Sequence, residues 1–168
     1  MPIKILLAAL GLLMAFGVHA ETWRFALIGD IPYSDYERRE LPAMIDNISA
    51  EHLDLIIHVG DFKRSNERCS DETFLDRQAL FNASRLPFIY VPGDNEWTDC
   101  TLPVAGDYAE LERLSKLRAI FFAEPLSLWQ TRIPVEQQSA AFPEHLRWRR
   151  GRYSSCRSMF PARTTILA

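Results

Sequence analysis

Three apolar runs, rich in β-branched and aromatic residues, stand out along the chain at positions 23–28, 53–59 and 86–91. Within each run the apolar residues follow one another almost without interruption and do not alternate with polar ones. This pattern is typical of parallel strands that are covered on both faces. We therefore predict three buried strands.

Helical patterns separate and follow these strands. The segment DETFLDRQALFNAS is the weakest of them, with Asp71 as its predicted start, whereas the other two carry apolar residues at helical spacing. The order strand, helix, strand, helix, strand, helix predicts an α/β fold with a parallel sheet of strand-helix units. The apolar positions are Leu41, Met44, Ile45 and Ile48 in the first helix, and Leu111, Leu114, Leu117 and Phe121 in the third.

The pattern weakens from Pro125 onward. The segment HLRWRR alternates from Leu146 and predicts a further strand. Residues 151–168, GRYSSCRSMFPARTTILA, show neither a helical nor a strand period, and after Glu144 the chain carries six arginines and no acid. We predict a domain over residues 21–150, followed by an aberrant tail over 151–168.

Residues 1–20, MPIKILLAALGLLMAFGVHA, combine one basic residue, a long apolar stretch and small residues at their end. This pattern predicts a secretory signal peptide cleaved after Ala20, and hence an exported protein of periplasmic or extracellular location. The alternative is an N-terminal membrane anchor, for which the apolar stretch is short. The remaining 168 − 20 = 148 residues suffice for one domain with its own core.

Charge and cysteine content narrow the class. A net charge of −3 gives no general reason to expect nucleic acid as a partner. An exported chain meets an oxidising compartment, where disulfides form. Cys69 and Cys100 each lie shortly after a Gly-Asp, in loops that can face each other. We predict a disulfide between them, with free thiols as the alternative, and Cys156 as the unpaired cysteine.

Each of the three predicted strands ends on a Gly-Asp dipeptide, at Asp30, Asp61 and Asp94. Their spacings of 31 and 33 residues match one strand-helix unit. Parallel strands joined by right-handed crossovers end on the same edge of the sheet, where such folds place their ligands. We therefore expect three carboxylates to converge there.

Converging carboxylates repel one another and need a counter-charge, which divalent metal ions supply. Each preceding glycine lets the chain turn sharply and approach the ions. Two metal ions about 3.5–4 Å apart can hold a phosphate and activate a water. The alternative is that Gly-Asp merely ends strands, since both residues are common in turns. Three such ends in register favour the metal site.

The segments IGDIPY, VGDFKR and PGDNEW resemble the first half of a calcineurin-like metallophosphoesterase, over about residues 25–149. That family carries an Asp after its first strand, a Gly-Asp after its second and Gly-Asn-His-Asp/Glu after its third. The resemblance implies that Asp30 binds one metal ion, that Asp61 bridges two, and that Asp94 replaces an Asn ligand. It implies a phosphate ester as substrate and two divalent ions in the intact enzyme, with Mn, Fe, Zn and Mg all open. PGDNEWTDC and GDFKRSNERCSD are most similar to an exported subgroup.

The chain departs from the family at positions that bind metal or take part in catalysis. Pro32 replaces the His of the first motif, and the adjacent Tyr33 is either a partial substitute as an oxygen donor or a turn residue that packs on the edge. Asn95 replaces the catalytic His; an amide can bind a phosphate but cannot act as a general acid. Lys63 is a second candidate contact for the substrate anion, with a solvated surface lysine as the alternative.

Three residues near these motifs have predicted structural roles. His58 lies inside the second strand and is predicted to be a core histidine with its hydrogen bonds satisfied. Glu96 is predicted to orient the third loop, and Trp97 to pack against the domain.

The family's later motifs, which bring His ligands from a second sheet, have no counterpart, because His145 is the only histidine beyond Cys100. The expected fold is a partial metallophosphoesterase-like sandwich with its second sheet largely missing. One hypothesis for the tail is a frameshift: suitable codons for residues 153–168, read one base earlier, spell VFFVSLNVPGSNNNLG, an apolar strand and a turn. The alternative is an ordinary, poorly ordered C-terminal tail.

Three functions are consistent with these patterns. The first is a truncated metal-dependent phosphoesterase-like hydrolase that has little or no activity by itself. The second is a non-catalytic exported protein whose acidic edge binds one metal ion or a cationic ligand. The third, a nucleotide-binding domain, is disfavoured because no G-x-G-x-x-G follows the first strand.

Overall fold

The computed structural model describes residues 22–129, 131–150 and 154–157. The predicted signal peptide and most of the predicted tail lie outside these residues, so their assignment stays a prediction. Among the described residues, no helix combines the length and the apolar character that crossing a membrane requires.

The first sheet contains three parallel strands in the order β1-β2-β3, in register from Phe25 opposite Leu55 to His58 opposite Tyr90. The three predicted strands are confirmed, each shorter by one or two residues at its ends. Their bounds are β1 (Phe25–Ile28), β2 (Leu55–His58) and β3 (Phe88–Tyr90).

Three helices complete the predicted alternation, so the α/β order is confirmed. They are α1 (Asp35–Ser49), α2 (Asp71–Asn82) and α3 (Glu110–Phe121). Ser34 and Ser70 cap the first two, each accepting a backbone N–H from the first turn. Two short 3₁₀ helices, Asp99–Thr101 and Pro103–Ala105, lie between β3 and α3.

One position of the predicted apolar stripe on α3 is wrong. Leu111 is 65% exposed, whereas Arg113 is buried beside Leu117. The Arg113 guanidinium donates to the Cys69 carbonyl at 2.9 Å and to Asp71 Oδ1 at 2.8 Å. The buried charge is stabilised because carbonyl and carboxylate oxygens accept hydrogen bonds from its N–H groups.

The prediction that all three strands are covered on both faces holds for β2 and β3 but is wrong for β1. Every residue of β2 and β3 is buried. Phe25 and Leu27 of β1 are 41% and 61% exposed, whereas β3, the other outer strand of this sheet, is buried throughout.

A second, antiparallel sheet has the order β4-β5-β6 and consists of β4 (Glu136–Ser139), β5 (Phe142–Arg150) and β6 (Ser154–Arg157). The predicted strand at HLRWRR is confirmed within β5. The expectation of no strand in the tail is wrong for β6, where pairing with β5 supplies backbone hydrogen bonds that the side-chain pattern does not signal. Trp148 of β5 is buried and its ring lies 6.3 Å from that of Trp23. The second sheet, expected to be largely missing, thus contributes three strands and part of the core.

Candidate metal centre

Three loops follow the strands of the first sheet and carry the predicted ligands. We call them the first, second and third loops: residues 29–34, 59–70 and 91–98.

These loops are hydrogen-bonded to one another at the C-terminal edge of the sheet. The Asp30 N–H donates to the Gly60 carbonyl at 3.1 Å, which joins the first loop to the second. The Asn95 N–H donates to Asp61 Oδ1 at 3.2 Å, which joins the third loop to the second. A Cβ atom added to Gly93 would lie 2.0 Å from Asp61 Oδ1, so this carboxylate lies directly against the glycine. The three motifs therefore meet at one edge, as their spacing predicts.

The backbone is strained at two of the three aspartates. Asp30 and Asp61 have left-handed φ values of 55° and 58°. Such conformations cost about 1–3 kcal/mol for non-glycine residues, less for Asp than for most, and cluster at functional sites. Gly60, at φ 101°, approaches the third loop so closely that a Cβ there would lie 2.4 Å from the Gly93 nitrogen. Glycine is thus required at position 60 for the second and third loops to meet.

The pKa of Asp61 responds to the neighbouring carboxyl groups. Burial raises the pKa of Asp61, and the N–H of Asn95 opposes this effect. The charges of Asp94 and Asp30, together with a side-chain hydrogen bond to Asp94, raise this pKa further. A cation at this edge would relieve the repulsion.

The donor set fits a hard divalent cation only in part. Its members are oxygens, which Mg²⁺ and Mn²⁺ prefer. Within residues 22–129, 131–150 and 154–157, no three or more His, Cys, Asp and Glu side chains form a group that could hold a metal ion by themselves. The expected convergence therefore holds for the three loops, whereas the Asp30, Asp61 and Asp94 side chains do not form such a group in this structure.

Tyr33 brings a further oxygen next to Asp30. Its hydroxyl donates to Asp30 Oδ1 at 3.0 Å and accepts from Asn95 Nδ2 at 3.3 Å. Burial and the hydrogen bond to Asp30 raise the pKa of Tyr33, so the phenol is neutral at physiological pH. Of the two roles predicted for Tyr33, the structure therefore favours the polar one at the rim.

Asn95 and Lys63 are held inside the protein. The Asn95 side-chain N–H groups donate to the Lys63 carbonyl, at 3.0 Å, and to the Tyr33 hydroxyl. The Lys63 ammonium is fully buried and donates to the Arg64 and Glu67 carbonyls, both at 3.0 Å. The side-chain donors of Asn95 are thus used inside the protein and Lys63 is buried, and substrate contact by either residue stays a prediction.

Glu96 has a larger role than its sequence position indicates. Its carboxylate is fully buried, and accepts the Gly93 N–H at 2.8 Å and the Phe62 N–H. Burial, and then the charge of Asp61, raise the pKa of Glu96 to about 8. Glu96 thus contacts the second loop as well as the third loop that it was predicted to orient. The spacing of acids in the sequence carries no signal for this contact, because the partners are backbone amides.

His58 is a buried histidine with both ring nitrogens hydrogen-bonded, as predicted. Its Nε2 lies 2.9 Å from the Ile31 carbonyl, and its Nδ1 accepts the Gly60 N–H at 3.2 Å. His145, on β5, has its Nδ1 2.8 Å from Gln138 Oε1 and stacks on Phe142. Trp97 is 8% exposed, so its predicted packing role is confirmed.

The predicted disulfide between Cys69 and Cys100 is present. Both cysteines are buried, and their sulfurs lie 3.7 and 3.8 Å from the Asn95 carbonyl oxygen. The bridge therefore joins the second loop to the chain just after the third loop.

The structure thus has an α/β fold whose parallel strands end at one edge with Asp30, Asp61 and Asp94 in the loops that follow them. The chain belongs to the calcineurin-like phosphoesterase family, whose sequence model matches residues 24–145. This match confirms the family resemblance and supports a phosphoesterase-like hydrolase domain. Neither the curated proteins nor the solved structures give a significant match to the chain.

Proposed function

We propose that the chain is a phosphoesterase-like hydrolase domain that binds a divalent cation through Asp30, Asp61 and Asp94 and has little activity by itself. The observation that supports this proposal most strongly is the placement of Asp61. Its side chain accepts a backbone N–H from the third loop and senses the charges of both other aspartates. Divalent metal ions in such sites polarise a phosphate ester and activate a water.

The protein's own groups orient the carboxylates. The hydroxyl of Tyr33 holds the Asp30 carboxylate, and the backbone of Asn95 holds that of Asp61. An amide cannot give a proton to a leaving group, and the side-chain donors of Asn95 are engaged internally. The chain therefore lacks a general acid at the position where its family carries a histidine, and this is the reason for the low activity that we propose.

Metal binding is tested with Asp61→Asn, using Asp107→Asn as the matched control. Asp107 is exposed and also has a left-handed backbone, at φ 54°, so both variants place Asn in the same conformation. We expect isothermal titration with MnCl₂ to show binding to the wild type and the control, and binding at least about tenfold weaker in Asp61→Asn, a loss of about 1.4 kcal/mol. Equal affinity in all three proteins, or none in the wild type, would refute the metal site.

Hydrolysis of an aryl phosphate by the same proteins separates the two functions that remain. Slow Mn²⁺-dependent turnover that Asp61→Asn abolishes supports the weak hydrolase. Metal binding without any turnover supports the alternative, a non-catalytic binding protein, which the internal hydrogen bonds of Asn95 and the burial of Lys63 favour. Turnover at about 1–10³ s⁻¹, the usual enzymatic range, contradicts the proposed low activity.

We also propose that the protein is exported. The buried Cys69–Cys100 disulfide supports this, because such bonds persist in oxidising compartments. Expression of the full chain in a bacterium, followed by fractionation and N-terminal sequencing, tests it. A periplasmic product beginning at Glu21 is expected, and a cytoplasmic product beginning at Met1 contradicts export.

A further inference from the structure

We propose that Glu96 is a positioning residue that holds the second and third loops together and thereby fixes the carboxylate of Asp61. The effect of Glu96 on metal binding rests on the proposed function, whereas its effect on the two loops does not.

The geometry of the Glu96 carboxylate carries the inference. The side chain is fully buried, and its two oxygens receive backbone N–H groups from different loops. Oε2 accepts from Gly93 at 2.8 Å, and Oε1 accepts from Phe62. One side chain therefore accepts hydrogen bonds from backbone amides of two loops.

The amides of Phe62 and Gly93 belong to residues that flank the Asp61 side chain. Phe62 follows Asp61 in sequence, so its amide lies directly after the left-handed turn at φ 58°. Gly93 lies against Asp61 on the other side, since a Cβ added there would be 2.7 Å from the Asp61 nitrogen. Glu96 thus fixes both the backbone that carries Asp61 and the surface on which its carboxylate rests.

Two acceptor oxygens suit this arrangement, because both partners are donors, and the tests below are run above the raised pKa of Glu96, about 8, where the carboxylate is ionised. Glutamine has one acceptor oxygen, and its NH₂ group would face an N–H. Aspartate keeps both oxygens on a side chain that is one methylene shorter. The disulfide joins the same two stretches of chain, but at Cys69 and Cys100, so it does not replace contacts beside Asp61.

Amide hydrogen exchange, followed by NMR on the mature chain with chelator present, tests the loop contacts without metal. Ile56, whose N–H bonds the Pro87 carbonyl in the first sheet, reports on global opening. We expect Glu96→Gln to reduce protection at Phe62 and Gly93 at least about tenfold relative to Ile56. The matched control is Glu144→Gln, which removes a partly buried carboxylate bonded to Arg118.

An unchanged ratio of Phe62 and Gly93 protection to Ile56 protection in Glu96→Gln would overturn the proposal. Glu96→Asp is the second variant and gives a result even where Glu96→Gln does not fold. Aspartate keeps both carboxyl oxygens on a shorter side chain, so this variant is expected to lose protection at one or both amides. Full protection in Glu96→Asp would show that a carboxyl group of either length holds the loops and would overturn the specific geometry proposed for Glu96.

Mn²⁺ titration at a temperature where all variants are folded tests the second half of the proposal. Glu96→Gln should bind Mn²⁺ at least about tenfold more weakly than the wild type, and Glu144→Gln equally well. Lost loop protection with unchanged Mn²⁺ affinity would overturn the link to Asp61. If the wild type binds no Mn²⁺, the proposed metal site fails, and the exchange experiment still decides whether Glu96 holds the loops.

Discussion

The hydroxyl of Tyr33 donates a hydrogen bond to Asp30 Oδ1 across 3.0 Å, within the first loop. Pro32 stands where the family resemblance implies a histidine, and the next residue, Tyr33, brings a phenol to the Asp30 carboxylate. The Tyr33 hydroxyl also accepts a hydrogen bond from the Asn95 side chain, so Tyr33 links the first and third loops. The first motif has thus lost a nitrogen ligand and contains a neutral hydrogen-bond donor next to its carboxylate.

Removing this hydroxyl should weaken metal binding. Tyr33→Phe leaves the ring in place and loses the hydrogen bonds to Asp30 and Asn95, worth about 0.5–1.5 kcal/mol each. We expect a three- to tenfold loss of Mn²⁺ affinity by isothermal titration. Tyr36→Phe is the control, because Tyr36 is 65% exposed on the adjacent helix. Equal affinity in the two variants would show that the hydroxyl does not position Asp30.

Which parts of this site the sequence predicts depends on how the contacts arise. The meeting of the loops that carry Asp30, Asp61 and Asp94 follows from topology, since parallel strands of similar length end on one edge. The role of Glu96 depends on backbone amides of another loop, and no residue type signals an amide. The sequence leaves two roles open for Tyr33, packing and hydrogen bonding, because they differ only in the orientation of the side chain.

The fold shows the same division. Apolar runs identify β1, β2 and β3, because strands that pack into a core consist mainly of apolar residues. They do not show that Phe25 and Leu27 stay exposed, which depends on what the rest of the fold packs against β1. Nor do they identify β6, whose pairing with β5 is made by the backbone.

Gly93→Ala should disrupt the metal centre directly. A Cβ at this position would lie 2.0 Å from Asp61 Oδ1 and 2.7 Å from the Asp61 nitrogen, so the second and third loops must separate. We expect a loss of about 1–3 kcal/mol in the free energy of unfolding and at least about tenfold weaker Mn²⁺ binding.

Gly106→Ala is the control for this substitution. At Gly106 the added Cβ would meet the Tyr108 ring at 2.3 Å, and the backbone is left-handed at φ 117°. This variant should lose stability in urea denaturation but keep its Mn²⁺ affinity. Unchanged Mn²⁺ affinity in Gly93→Ala would contradict the close packing of Asp61 on this glycine.

The disulfide should contribute strongly to stability. It closes a loop with a sequence separation of 31 residues, for which the chain-entropy estimate is about 3–4 kcal/mol. We expect the double variant Cys69→Ala/Cys100→Ala to lose about this much in urea denaturation, and Cys156→Ala to lose less. Thiol titration of the denatured mature protein should give one thiol, rising to three on reduction. Three thiols before reduction would show that the bridge does not form.

His58 should make stability fall on acidification. Burial lowers its pKa from 6.5 to about 4, partly offset by the Ile31 carbonyl and by the charge of Asp30. Between these two values the unfolded chain binds a proton that the folded chain does not. The contribution of His58 is therefore complete above about pH 6.5 and is lost toward pH 4, by up to about 1.4 kcal/mol per pH unit. Protonation would also place a hydrogen on Nδ1, which accepts the Gly60 N–H.

Urea denaturation of the wild type and His58→Gln at several pH values between 4.5 and 7.5 isolates this contribution. Carboxyl titrations are common to both proteins and cancel in the difference between their free energies of unfolding. The advantage of the wild type should shrink by about 2–3 kcal/mol from pH 7 to pH 4.5. His52→Gln, at an exposed histidine, serves as the control and should parallel the wild type. A difference between wild type and His58→Gln that stays constant or grows on acidification would mean that His58 is protonated in the folded protein, and its hydrogen bond to Gly60 would then have to be reassigned.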